Sequence, residues 1–149
     1  MKNLLFLLFA LLTLGACKKS GNEPKPQKPA EAVAGTYTLT SFRYVSGDDE
    51  INLPRLPYTQ NGQTVTGTVR LDPVSDDHVT LSLTLKITGQ QDANIDIDQV
   101  EVQKTSEAYG LYVDGERVAD ADGDDLIFNI SETDPQTNES LALSFVANK

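Results

Sequence analysis

Residues 79–88 read Val-Thr-Leu-Ser-Leu-Thr-Leu-Lys-Ile-Thr, with an apolar side chain at every odd position and a polar one at every even position. Side chains along a strand point alternately to opposite faces, so this period of two predicts a strand with one buried face and one wet face. Just upstream, Val65, Gly67, Val69 and Leu71 alternate with Thr64, Thr66, Thr68 and Arg70 in the same way. The short connection from Asp72-Pro73 to Asp77 predicts that the two runs form an antiparallel hairpin.

The same period recurs along the rest of the chain. Ile95 and Ile97 start another run, but its apolar phase then slips to Val100 and Val102; Tyr37 and Leu39 slip likewise to Phe42 and Tyr44. A one-residue slip inside a strand is what a β-bulge absorbs, and bulges bend sheets toward closure. Tyr109, Leu111 and Val113 run into Asp114-Gly115, a strong hairpin signal, with a short return through Arg117 and Val118. Leu126, Phe128 and Ile130 give one further strand, Leu141, Leu143 and Phe145 the last, and Ile51 to Leu53 a short extra one. No stretch after residue 33 has a helical period. The expected fold is all-β: an antiparallel up-and-down barrel of about eight strands, or alternatively a two-sheet β-sandwich.

Gly35-Thr36-Tyr37, followed by Thr38-Leu39-Thr40-Ser41, resembles the opening strand of lipocalin-like (calycin) domains of small bacterial lipoproteins. In that family a Gly-x-Trp pattern begins the first strand and its aromatic ring plugs the closed end of the barrel. Here Tyr37 stands at the Trp position, and the chain contains no Trp. The resemblance implies structural roles for Gly35 and Tyr37 and identifies no ligand.

The N-terminus carries a second resemblance. Lys2 precedes an apolar run of eleven residues, Leu4 to Leu14, broken only by Thr13. A helix of that length rises roughly 16 Å, about half of a ~30 Å bilayer core, which suits a signal peptide and not a membrane span. The run ends in Leu14-Gly15-Ala16-Cys17, which is similar to the lipobox of bacterial lipoproteins. That resemblance implies cleavage before Cys17 and diacylglycerol on its sulfur, with Lys18 at the next position favouring the outer membrane of a Gram-negative bacterium. Cys17 is the sole cysteine, so the folded part is expected to stand without a disulfide.

Residues 17–33 read as the lipidated Cys and a Lys/Pro-rich flexible tether, and residues 34–149 as one β domain. Pro24, Pro26 and Pro29 bias the tether toward polyproline II, and Lys18, Lys19, Lys25 and Lys28 against Glu23 and Glu31 make it net positive. The domain inverts that balance. It holds 7 of the 12 basic residues and 20 of the 22 acidic ones, a net charge of about −13. Nucleic-acid binding draws its energy from phosphate neutralisation by Lys and Arg, so this charge argues against a nucleic-acid partner. The expected partners are the membrane, through the anchor, and a small apolar ligand inside the domain.

Several constellations fail on their chemistry. Asp120, Asp122, Asp124 and Asp125 invite a calcium loop, yet Gly123 falls at the fourth position and Ser131 at the twelfth, where an EF-hand loop needs Gly sixth and Glu twelfth. Asp96 and Asp98 lie opposite Ile95 and Ile97 and are expected to face water, which leaves no desolvated carboxylate pair for acid–base work. His78, the one histidine, stands beside Asp76 and Asp77 with no nucleophile elbow in the sequence. No metal site, cofactor motif or catalytic set is expected. Ile51 to Gln60 (INLPRLPYTQ) is the irregular stretch of most interest: it reads as a lid over the barrel mouth, with Arg55 and Tyr58 meeting a polar end of a ligand, or else as a loop packed for stability. The functional expectation is a non-enzymatic anchored domain that binds a small apolar ligand, or alternatively an adhesion or assembly module with a filled core. Large aliphatics at the inward positions Leu81, Leu83, Leu85 and Ile87 weigh toward filling.

Overall fold

The computed structural model describes residues 27–133, 135, 137 and 139–149; the leader, Cys17 and the tether through residue 26 lie outside these. One helical turn, α1 (Pro29–Val33), precedes ten strands: β1 (Gly35–Ser46), β2 (Asp49–Leu53), β3 (Tyr58–Gln60), β4 (Gln63–Pro73), β5 (His78–Ile87), β6 (Ala93–Lys104), β7 (Tyr109–Val113), β8 (Glu116–Ala121), β9 (Asp125–Thr133) and β10 (Ser140–Asn148). All pairings are antiparallel, and from β4 to β10 each strand lies beside the next in sequence. Pairing of β1 with both β10 and β4 closes an eight-strand barrel, to which β2 and β3 are added. The fold is the up-and-down barrel, not the sandwich.

The two phase slips in the sequence are bulges. In β1, Leu39 and Ser41 face consecutive residues of β10, Ala147 and Val146, leaving Thr40 as the extra residue. In β6, Val79 and Leu81 of β5 face Val100 and Ile97, so Asp98 and Gln99 span one step, with Gln99 at φ 57°. A third bulge at Val118 in β8 turns both Val118 and Ala119 into the core. The hairpin at Asp114-Gly115 has φ of 51° and 83°, the paired positive values of a type I′ turn.

Inward residues fill the barrel. Phe42, Phe145, Phe128 and Ala119 form one cross-strand row over β1, β10, β9 and β8, with the Phe128 and Phe145 rings stacked at 4.7 Å between centroids. Gly67 lies under Leu39 and Leu85, where a Cβ would come within 2.4 Å of Leu39 Cδ1. Leu71, Leu81, Leu83, Leu111 and Leu126 are buried around them. No buried polar side chain interrupts this core among the described residues. Burying each such Leu or Phe is worth about 1.5–3 kcal/mol, which is how a domain without a disulfide holds together.

The folded unit begins earlier than the sequence boundary at residue 34. Pro29–Val33 is no part of an extended tether: it forms a helical turn whose Ala30 and Val33 are fully buried, capping one end of the barrel. Five residues are too few to display a helical period, so the turn has no sequence signature beyond Pro at its start. Tyr37 packs beneath it, buried, and its hydroxyl donates to the Val33 carbonyl at 2.6 Å. Lys149 lies over the Tyr37 ring, 4.8 Å from its centroid, and also over Gly35, whose φ of 134° favours glycine. Burial, reinforced by the carboxylates of Asp122 and Asp124, pushes the Tyr37 hydroxyl up to a pKa of about 12.

The neutral phenol is therefore the folded state's form, and its stabilisation is complete below about pH 10, then lost as pH rises toward 12. Tyr37→Phe, which deletes the bond to Val33, is expected to lower stability by about 1 kcal/mol at neutral pH. It should also flatten the alkaline limb. Urea unfolding at pH 7 and between pH 9 and 12 measures both.

Candidate functional site

The strand directions define two ends. The closed end carries α1 and the turns after β4, β6 and β8. The open end carries the β1–β2, β3–β4, β5–β6 and β7–β8 turns. Both acidic constellations of the sequence lie at the closed end, and each is spent on structure.

In the turn between β4 and β5, Asp77 Oδ1 sits 2.8 Å from His78 Nδ1 and accepts from Ser75 Oγ at 2.9 Å. Ser75 Oγ also lies 3.3 Å from the same Nδ1. A nucleophilic triad needs serine on one ring nitrogen and the carboxylate on the other; both partners here crowd one nitrogen, so no relay exists. The bonds from His78 and Ser75 hold the Asp77 carboxyl below its ordinary range. The turn is tied to its surroundings by the Lys28–Asp76 ion pair at 2.6 Å, by Ala30 N–H to Asp76 C=O and by Val102 N–H to Asp77 C=O.

In the loop after β8, Asp122 Oδ1 accepts from the backbone N–H groups of Asp124 at 2.9 Å and Asp125 at 2.8 Å. Those two bonds hold its carboxyl below the usual range. Lys149 N–H donates to the Asp124 carbonyl, and a Cβ on Gly123 would lie 3.3 Å from the Ala32 carbonyl oxygen, which places the loop against α1. No group of three or more His, Cys, Asp or Glu suited to a metal ion occurs among the described residues. Asp96 and Asp98 are exposed, and Asp98 accepts from Thr80 on the outer face.

The stretch 51–60 is built differently from a lid. After Thr38↔Thr68 the strands β1 and β4 part; β2 continues on the free edge of β1 and β3 on that of β4. The β2–β3 connection crosses this seam in the wall, with a cis peptide bond at Leu56-Pro57. Leu56 is its anchor, buried in the core, and its N–H donates to the carbonyl of the bulge residue Thr40 at 2.8 Å. Arg55 is exposed and makes no ion pair among the described residues. Tyr58, 37% exposed, pairs with Val65 and so shares its face of the sheet, at the end of β3 away from the Asn61-Gly62 turn. The extra hairpin had a readable signal in Asn61-Gly62, whose φ values of 51° and 79° mark a second type I′ turn.

Several clefts mark the surface, among them two beside β9. A groove of about 410 Å³ crosses the outside of β2, β1, β10 and β9, lined by Arg43, Asn52, Asn129 and Ser144 and by the exposed Ile127 and Val146. Arg43 is already paired with Glu50 at 2.9 Å. The second surface lies at the open end, where the β7–β8 hairpin is shorter than its neighbours. The ladder between β8 and β9 stops at Ala119↔Phe128, so among the described residues Asn129–Thr133 of β9 has no strand partner on that side. A cleft of about 290 Å³ opens there, with Val113, Val118 and Ile130 as apolar walls and Asp114, Glu116 and Glu132 as acidic ones. These three carboxylates make no ion pair among the described residues, although six acidic residues elsewhere do.

In comparisons with known proteins, no family model, no curated protein and no solved structure matches this chain.

Leu56→Ala should cost about 2–4 kcal/mol, as for other buried leucines, while Arg55→Ala shifts stability by less than about 0.5 kcal/mol. Chemical denaturation compares the two. Acid acts through Asp122 and Asp77: their lowered values mean stabilisation present above about pH 4 and lost as pH falls through the folded-state value. Asp122→Asn keeps a carbonyl acceptor but does not titrate, so its thermal midpoint should fall less steeply between pH 5 and 2 than that of the parent.

Proposed function

We propose that this protein is a lipid-anchored, non-enzymatic accessory module of the bacterial cell envelope that works through its surface and carries no ligand inside. The carrying observation is the filled barrel. In a ligand-carrying barrel the interior is a cavity of several hundred Å³; here the axis is occupied by Tyr37, Leu39, Phe42, Leu71, Leu81, Leu83 and the stacked Phe128 and Phe145. The close approach of Leu39 and Leu85 at Gly67 leaves no room to expand without moving the core. Of the two functional expectations, this favours adhesion or assembly over carriage of a small apolar ligand.

The anchor half of the reading rests on the leader and on Leu14-Gly15-Ala16-Cys17. The folded unit starts with α1 at the closed end, so the chain upstream joins the barrel at the end opposite its open rim. One acyl chain binds a bilayer only marginally and two or more hold it stably, so diacylglycerol on Cys17 suffices.

Cys17→Ser is expected to move the protein from the membrane fraction to the soluble fraction after cell breakage. Retention of the variant in membranes would overturn the anchor. A fluorescent fatty acid titrated into the full chain in non-ionic detergent should show no saturable one-to-one uptake. Stoichiometric uptake would overturn surface function in favour of carriage.

A further inference from the structure

We infer that the slot between β8 and β9 at the open end receives an extended, basic–apolar segment of another protein, which adds as a strand to the unpaired edge of β9. The inference rests on the surface-acting reading above and names its partner's chemistry.

The geometry of the barrel wall carries it. The wall parts between β1 and β4, between β8 and β9 and along the upper β6, and the protein treats the three differently. Between β1 and β4 its own chain supplies β2, β3 and the buried Leu56 as filling. Between β8 and β9 nothing among the described residues pairs with Asn129–Thr133. A bare strand edge presents a row of backbone N–H and C=O groups, and the complement of such a row is another extended backbone. The upper part of β6, beyond its last pair with β7 at Glu101↔Tyr112, is bare as well, but its outer face carries Asp96 and Asp98, charges of the kind that guard an edge. The β9 edge instead opens onto a cleft with apolar walls.

The side chains define the partner further. Val113, Val118 and Ile130 offer contact to alternate apolar residues of an added strand, the pocket pattern by which strand addition gains specificity. Asp114, Glu116 and Glu132 stand at the same cleft without cationic partners. Ile130 and Glu132, two apart on β9, share one face, as do Val113 and Glu116, which pair across β7 and β8, so Lys or Arg among the same cleft-facing positions of the added strand would supply them. A second copy of this chain is disfavoured by the net charge of −10. The cleft lies at the end opposite α1, so an added strand would not meet the turn where the chain enters the barrel.

The test is fluorescence anisotropy of a labelled seven-residue peptide with Val and Lys in turn at its odd positions and Thr at its even ones, titrated with the full chain in non-ionic detergent. Saturable binding is expected, weakened about tenfold in Glu116→Gln/Glu132→Gln and unchanged in Glu107→Gln at the closed end. The same peptide N-methylated at alternate residues keeps its charge but loses backbone donors, and it should bind at least tenfold more weakly. Far-ultraviolet circular dichroism and thermal midpoints of the variants check that they fold. Equal binding of the parent and N-methylated peptides would reduce the effect to charge attraction and overturn strand addition. Equal loss in Glu107→Gln, absence of saturable binding, or displacement by spermine as effective as by the peptide would each overturn it too. None of these outcomes touches the fatty-acid titration, which alone decides between surface action and carriage.

Discussion

The barrel depends on β1 serving two neighbours along one edge. At its start the strand pairs with β4, which closes the barrel; past Thr38 it leaves β4 and turns to β2, while its other edge stays on β10 from Thr38 to Ser46. A straight strand cannot make that departure with its apolar residues still facing inward. The extra residue at Thr40 bends the strand and moves the inward set from Tyr37 and Leu39 to Phe42 and Tyr44. The bend leaves a gap in the wall and a bulge carbonyl with no ladder partner, and Leu56 answers both, its side chain entering the core and its N–H bonding Thr40. Bulge, seam and crossing loop are one device.

What that device encloses is tightly packed, and the consequence for function is a division of labour by height. The closed half is occupied by α1, Tyr37 and the aliphatic layers, held by the Asp122 and Asp77 turns. The upper half has shorter walls, half-buried apolar residues such as Tyr44, Ile97 and Leu143, and carboxylates without an ion-pair partner among the described residues. The fully buried side chains are concentrated at the end that carries α1, and the acidic cleft lies at the opposite rim.

Much of this is written in residue order. The alternation of Val79 to Ile87 against Thr80 to Thr88 states both the strand and its buried face. The slips at Leu39/Phe42 and Ile97/Val100 state the bulges, because a period of two cannot lose one residue without a break in the pairing. Asp114-Gly115 states its hairpin. What could not be read depends on partners distant in sequence. Nothing local distinguishes Ala30 and Val33 from the spacer before them; their burial is decided by the barrel end they meet. Arg55 and Tyr58 attracted interest by chemical type, yet Leu56 between them makes the decisive contact, since only the parting of β1 from β4 creates its pocket. The open stretch of β9 likewise follows from unequal strand lengths, five residues in β7 and six in β8 beside nine in β9. Pattern gives the elements, and the ladder arithmetic between them has to be seen.

The unequal heights of the walls also set how the molecule breathes. Amide groups in the lower ladders are locked by neighbours on both sides and exchange only when the whole barrel opens, whereas those of Asn129 to Thr133 and of the upper β6 are held from one side alone. Isotope uptake should therefore run from the rim downward, leaving Tyr37, Leu71 and Leu126 among the last protected positions. A barrel assembled in this way loosens at its mouth while the end that carries α1 stays shut, so the mouth can adapt its shape without endangering the fold.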